Sequence, residues 1–258
     1  MAIIKLENVD LNVIKDNSCL IRNINLEIEK GKKILISGIN GAGKSTLFKA
    51  LLGYKGIDEE RYAELRNGKI IYDESIDSEN INKNIINITQ EDYLSLPFKK
   101  VETVLKDVIS PDIKNKNDYF NHWLERYKPL IEDDVRKKLL KKRVYSLSGG
   151  EKKFVAILKG LIRCDDPKVK LALIDEPINN LDAKHIIQLS DLLLRIQYFN
   201  PDISFVIITH CHAFPIIDVA YEVSNGMINK VNYEEHNCFG KTIKGYYQKS
   251  MIPKEMID

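Results

Sequence analysis

Two groups of residues in this 258-residue chain have the types and spacing for phosphate chemistry. The first is Gly38-Ile39-Asn40-Gly41-Ala42-Gly43-Lys44-Ser45-Thr46, which fits the pattern Gly, four residues, Gly-Lys-Ser/Thr. Glycines let the backbone curl until successive N–H groups point at phosphate oxygens, and a helix starting there adds its positive end. Lys44 would then hold the β- and γ-phosphates, and Ser45 would ligate Mg²⁺. A chance glycine-rich turn explains this poorly, because strand, loop, lysine, hydroxyl and helix occur together. By itself the loop specifies only a nucleoside triphosphate.

The second group is Leu171-Ala172-Leu173-Ile174-Asp175-Glu176, an apolar strand ending in two carboxylates. In α/β sheets ligands gather at the carboxyl ends of the strands. Consecutive strand residues point to opposite faces, so the two acids can take different jobs. Asp175 would hold Mg²⁺ through water, and Glu176 would polarise the attacking water. Alone, such a pair more often caps a helix or solvates a loop; the phosphate loop reverses that preference. A third element, Leu147-Ser148-Gly149-Gly150-Glu151, opens a helix expected over Lys152 to Ile162, where a serine and free N–H groups make another anion site. A plain serine N-cap is the default explanation for that element taken alone.

The elements that must position these residues follow from periodicity. Ile3-Ile4-Lys5-Leu6-Glu7 and Ile24-Asn25-Leu26-Glu27-Ile28-Glu29 alternate as strands do, and Ile34-Leu35-Ile36 feeds the glycine loop, after which Ser45 to Leu52 suits a helix. Lys69 to Tyr72 and Ile85 to Thr89 read as strands, and about Val101 to Lys142 as a charged, helix-compatible insertion. Val169 to Ile174, a helix over Ala183 to Tyr198, and Ile203 to Thr209 make a β-α-β run feeding a largely parallel sheet.

Composition narrows the classes. Thirty-nine Lys and Arg against thirty-seven Asp and Glu leave a net charge of +2, so no global field points to nucleic acid. The basic run Lys137-Lys138 and Lys141-Lys142-Arg143 lacks an aromatic stacking pattern and reads as a solvated helix face. The N-terminus has no signal-peptide pattern, and the apolar stretch Ile203 to Val223 is broken by Thr209, His210, His212, Pro215 and Asp218. A cytosolic chain that does not itself cross a membrane is therefore expected. Cys19, Cys164, Cys211 and Cys238 form no Cys-x-x-Cys pair, which favours reduced thiols, and His210-Cys211-His212 lacks further metal ligands nearby.

Taken in order, the phosphate loop, Gln90 in Ile88-Thr89-Gln90-Glu91-Asp92, Leu147 to Glu151, Leu171 to Glu176, Asn180-Leu181-Asp182 and His210 resemble the nucleotide-binding subunits of the ATP-binding cassette family, from about Leu6 to Lys230. The resemblance implies an α/β fold: a P-loop NTPase core with an N-terminal antiparallel β-subdomain and an inserted α-helical subdomain over about residues 92–159. The whole chain, 1–258, is expected to be one such unit, with residues 235–258 an extension of unassigned role. The resemblance also implies ATP and Mg²⁺ as ligands, with Gln90 reaching the metal and the attacking water, His210 contacting the γ-phosphate, and Asp182 at a dimer seam. Ser148, Gly149 and Gly150 would face the phosphate loop of the opposite subunit in a homodimer or heterodimer. A separate transmembrane permease would be the partner, placing the chain on the cytoplasmic face. Several positions depart from the family pattern. Val13 stands near the usual adenine-stacking aromatic, so base stacking and ATP preference over GTP should be weaker. Ile178, Phe154 and Cys211 replace a usual small hydroxyl residue, arginine and aspartate. Two alternatives to transport remain at this point: a soluble cassette ATPase of the iron–sulfur assembly type, and a nucleotide sensor without turnover.

Overall fold

The computed structural model describes residues 1–13, 18–53, 63–89, 97–127, 138–179, 181, 183–210, 214 and 216–233. In chain order its main elements are β1 (Ala2–Val13), β2 (Cys19–Glu29), β3 (Lys33–Gly38), α1 (Lys44–Leu51), β4 (Ala63–Tyr72), β5 (Ile85–Ile88), α2 (Val101–Asp107), α3 (Lys116–Arg126), α4 (Gly149–Leu161), β6 (Leu171–Asp175), α5 (Ala183–Phe199), β7 (Ser204–Thr209), β8 (Val219–Ser224) and β9 (Met227–Val231).

A six-stranded sheet runs β5-β6-β7-β3-β8-β9, parallel throughout except that β9 pairs antiparallel with β8. Strands β3 and β7 are buried along their whole length, as strands covered on both faces must be. Alternation decides which face each side chain serves. Leu35, Ile174, Phe205 and Ile207 pack into one core with Val155 and Leu158 of α4 and Leu189 and Leu193 of α5. Ile34, Ile36, Leu173, Val206 and Ile208 pack on the opposite face with Leu47 and Leu51 of α1 and with β1 and β2. Each such buried side chain contributes about 1.5–3 kcal/mol relative to exposure, so both faces hold the central strands in place.

The second sheet, β2-β1-β4, is antiparallel and closes over the α1 side of the core. The insertion joins the other core through Val101, Leu105, Phe120 and Trp123. Among its described residues α2 and α3 are separate helices, where the sequence suggests one helix-compatible stretch. Pro111 disfavours helical backbone at Ser110, and Asn115 restarts a helix by accepting the Asp118 N–H at 3.2 Å. Helix α4 starts at Gly149, three residues before the expected Lys152, because Ser148 caps it. A Cβ on Gly160 would lie 2.4 Å from Ile88 Cγ1, so α4 rides directly on β5. The hairpin of β8 and β9 turns at Asn225 and Gly226, with φ of 51° and 70°, the backbone that a two-residue turn of this type requires.

Candidate active site

The carboxyl ends of β3, β6 and β7 lie along one edge of the parallel sheet, with β7 between the other two. This order brings the glycine loop, the acidic pair and His210 to the same crevice, where open α/β sheets take their ligands. Gly38 ends β3 with φ of 149° and packs so tightly that a Cβ would sit 2.4 Å from the Val223 carbonyl oxygen. Asn40 and Gly41 form the exposed bend, and the Ala42 N–H turns back to the Ile39 carbonyl at 3.2 Å. Gly43, with φ of 98°, is the N-cap of α1 and offers no side-chain cap; the first turn carries no acid. The first-turn N–H groups, including those of Ser45 and Thr46, therefore present an unneutralised positive helix end to the crevice.

Lys44 is buried, and its ammonium donates to the Gly38 carbonyl at 2.7 Å and the Ile39 carbonyl at 3.0 Å. Burial lowers its pKa, while the Glu176 and Asp175 charges oppose that shift. Ser45 Oγ donates to Asp175 Oδ2 at 3.1 Å, and Asp175 Oδ1 has no hydrogen-bond partner. Burial also raises the Asp175 pKa, against the pull of Ser45, Lys44, Lys153 and His210. A hydroxyl and a half-satisfied carboxylate side by side are hard oxygen donors. They suit Mg²⁺, which takes one or two carboxylates plus substrate phosphates rather than an all-protein cage. Among the described residues no three His, Cys, Asp or Glu side chains gather as a metal cage.

Glu176 follows β6 in a left-handed conformation, φ 50°, at a cost of about 1–3 kcal/mol for a residue with a Cβ. Its N–H donates to the Ile208 carbonyl at 2.9 Å, and its carbonyl accepts the Lys153 ammonium from α4. The carboxylate is buried. Neither oxygen accepts a well-formed hydrogen bond, although Oε1 lies at an ion-pair distance of 3.1 Å from His210 Nε2. Burial pushes its pKa up to about 7, with Lys44 and Lys153 pulling it down. Burial and Lys44 hold the His210 pKa below its ordinary value, with Asp175 opposing. A base poised near neutrality beside a neutral imidazole can take and return a proton.

A stability consequence follows. A carboxyl whose folded pKa lies above 4.5 favours the protonated folded state, so its contribution is complete below pH 4.5 and is lost as the pH rises through 7. At pH 8 the ionised, buried carboxylate costs the fold at most on the order of 3 kcal/mol, taking about 1.4 kcal/mol per pH unit. Glu176→Gln should therefore raise the melting temperature of nucleotide-free protein by several degrees at pH 8 and hardly change it at pH 5. Equal shifts at both pH values would contradict the burial argument.

Ser148, Gly149 and Gly150 stand at the start of α4, with Ser148 and Gly149 exposed. Ser148 Oγ accepts the Glu151 N–H at 3.2 Å, and Glu151 Oε2 accepts the Ser148 N–H at 2.9 Å, a closed capping box. Its hydrogen bonds are thus within its own helix rather than with the glycine loop. Space beside Gly149 is open, with nothing within 4 Å of a built Cβ. Gln90, Asn180, Asp182, Cys211, His212 and residues 234–258 lie outside the described residues, as does the side chain of Val13. No motif or spacing singles out Lys153, which the structure brings to the Glu176 carbonyl.

Comparison with known proteins agrees with this geometry. The family model described as ABC transporter matches residues 21–179. An uncharacterised ABC transporter ATP-binding protein of Methanocaldococcus jannaschii is 29% identical, over 98% of this chain and 80% of that protein. The lipoprotein-releasing system ATP-binding protein LolD of Rickettsia bellii is 30% identical, over 88% of this chain and 97% of its own. The structure of cbiO1 from Clostridium perfringens, part of the ABC transporter complex cbiONQ, has a TM-score of 0.70 at 25% identity and covers 99% of this chain and 98% of that one. A P-loop NTPase core with these appended β and helical parts, a matching family model and near full-length relatives lead to one identification: the chain belongs to the ABC transporter family, as an ATP-binding subunit and an ATPase.

Proposed function

We propose that this ATPase powers a transporter by ATP-driven closure of a dimer, each nucleotide held between two chains, with the stroke passed to a separate membrane permease. The observation that carries the reading is the division of labour in one protomer. Lys44, Ser45, Asp175, Glu176 and His210 converge on one crevice, while the anion-binding start of α4 stays exposed and turned to its own cap. A second protomer can bring that helix start to the γ-phosphate.

In the site, Lys44 exchanges its bonds to Gly38 and Ile39 for phosphate oxygens, joined by the N–H groups of Gly41, Ala42, Gly43, Ser45 and Thr46. Ser45 and Asp175 would hold Mg²⁺, which would neutralise charge on the phosphate oxygens. Glu176 orients and deprotonates water, and His210 keeps the carboxylate and γ-phosphate in register. Gln90 is assigned to the metal and water, Asp182 to the dimer seam, and Ser148 with Gly149 and Gly150 to the partner's nucleotide; these roles rest on the family resemblance. The second chain is either a copy of this one or a related ATPase.

The insertion carrying α2 and α3 is the docking region for the permease, which places the chain at the cytoplasmic face of the membrane. No helix among the described residues is long and apolar enough to cross a membrane. Extraction in mild detergent should recover a multi-spanning membrane protein in fixed ratio with this chain. Recovery of soluble partners only would redirect the reading to a non-transport ATPase.

A further inference from the structure

We propose that Lys153 is a positioning residue for ATP hydrolysis, holding the Glu176 peptide in the conformation that aims its carboxylate at the attacking water. The inference deepens the function proposed above and rests on it.

Glu176 adopts φ 50°, backbone that a residue with a Cβ keeps only when its surroundings fix it from more than one side. Two contacts do so here. The Glu176 N–H donates to the Ile208 carbonyl at 2.9 Å, anchoring the peptide to β7. The Glu176 carbonyl accepts the Lys153 ammonium. The one other donor to that oxygen among the described residues is the Asn179 N–H, at the longer distance of 3.4 Å. Without the ammonium, the carbonyl keeps a single weak turn contact and the peptide can relax toward extended backbone, swinging Cβ and the carboxylate away from the crevice.

Lys153 reaches this oxygen because of where α4 sits. It lies about one and a half helical turns beyond Ser148, on a helix pressed against β5 at Gly160. Burial lowers its pKa, and the Glu176 and Asp175 charges oppose that effect; a lysine merely solvating a helix face would not have accepted such desolvation. Its hydrogen bond goes to a main-chain oxygen and leaves both carboxylate oxygens of Glu176 without a well-formed hydrogen bond. Lysine therefore steers the backbone while the carboxylate stays available to water. Lys44 donates to the Gly38 and Ile39 carbonyls rather than to the Glu176 peptide, and in the function proposed above it turns to phosphate oxygens.

The test compares wild type, Lys153→Met, Lys153→Arg and Glu176→Gln by steady-state phosphate release with Mg-ATP. Misplacing a reacting group by about an ångström costs up to about 10²-fold in rate. Lys153→Met should accordingly lower kcat by roughly tenfold or more with KM within about twofold, the pattern of an interaction serving the transition state. Lys153→Arg, which can still donate to the carbonyl, should recover kcat to within about threefold of wild type. The proposal is overturned by Lys153→Met with wild-type kcat, by a loss residing in KM, or by Arg and Met variants equally impaired. If Lys153→Met does not melt cooperatively, Lys153→Gln, a shorter neutral side chain, takes its place in the same comparison. An active wild type, an inactive Glu176→Gln and an unimpaired Lys153→Met would refute this role alone. A wild type without turnover, or a Glu176→Gln as fast as wild type, would instead bring down the reading of the site and this inference with it.

Discussion

Glu176→Gln should bind Mg-ATP with near wild-type affinity and release phosphate about 10²- to 10⁴-fold more slowly, the usual contribution of a positioned acid–base group. The substitution preserves volume and leaves the contacts of Lys44, Ser45 and Asp175 in place. It removes a buried carboxylate whose pKa burial brings to about 7 and whose oxygens are not engaged by well-formed hydrogen bonds. An amide cannot accept the proton of the attacking water. Single-turnover phosphate release alongside an equilibrium titration separates the two effects, and turnover within tenfold of wild type would show that another group activates water. The same result would favour the nucleotide-sensor alternative if wild type also fails to hydrolyse.

The second large effect is expected on binding. Lys44→Ala should weaken nucleotide affinity by roughly ten- to a hundredfold, since a hydrogen bond to a charged group contributes about 1.5–3 kcal/mol and each 1.4 kcal/mol is tenfold. The loss is expected to fall on nucleotides carrying a β-phosphate and to be small for AMP, because a lysine of this loop reaches the β- and γ-phosphates, which AMP lacks. A titration showing equal affinity of wild type and Lys44→Ala for ATP would contradict the placement.

Much of this site was legible because motif and element coincide. The apolar run before Gly38 and the run before Asp175 are buried parallel strands, and their ends bring loop and acids together. The helix after Ala183 and the strand before His210 also stand where periodicity put them. What escaped depended on contacts distant in sequence. The break between α2 and α3 follows from Pro111 and the Asn115 cap, local signals outweighed by a run of helix-compatible residues. The β8–β9 hairpin was written in Asn225-Gly226, a turn pair hidden beside an apolar stretch weighed for membrane spanning. Lys153 could not be read at all, because its partner is a main-chain oxygen in a left-handed peptide that no spacing reveals.

The sharing of each triphosphate between two chains is tested most directly by the solution mass of Glu176→Gln protein at saturating Mg-ATP. The expected result is a mass twice that of the single chain, returning to the single-chain value when Mg²⁺ is chelated, and lost when Ser148→Arg is added to block the start of α4. A Glu176→Gln protein that binds ATP to saturation yet keeps the mass of one chain would contradict the shared site.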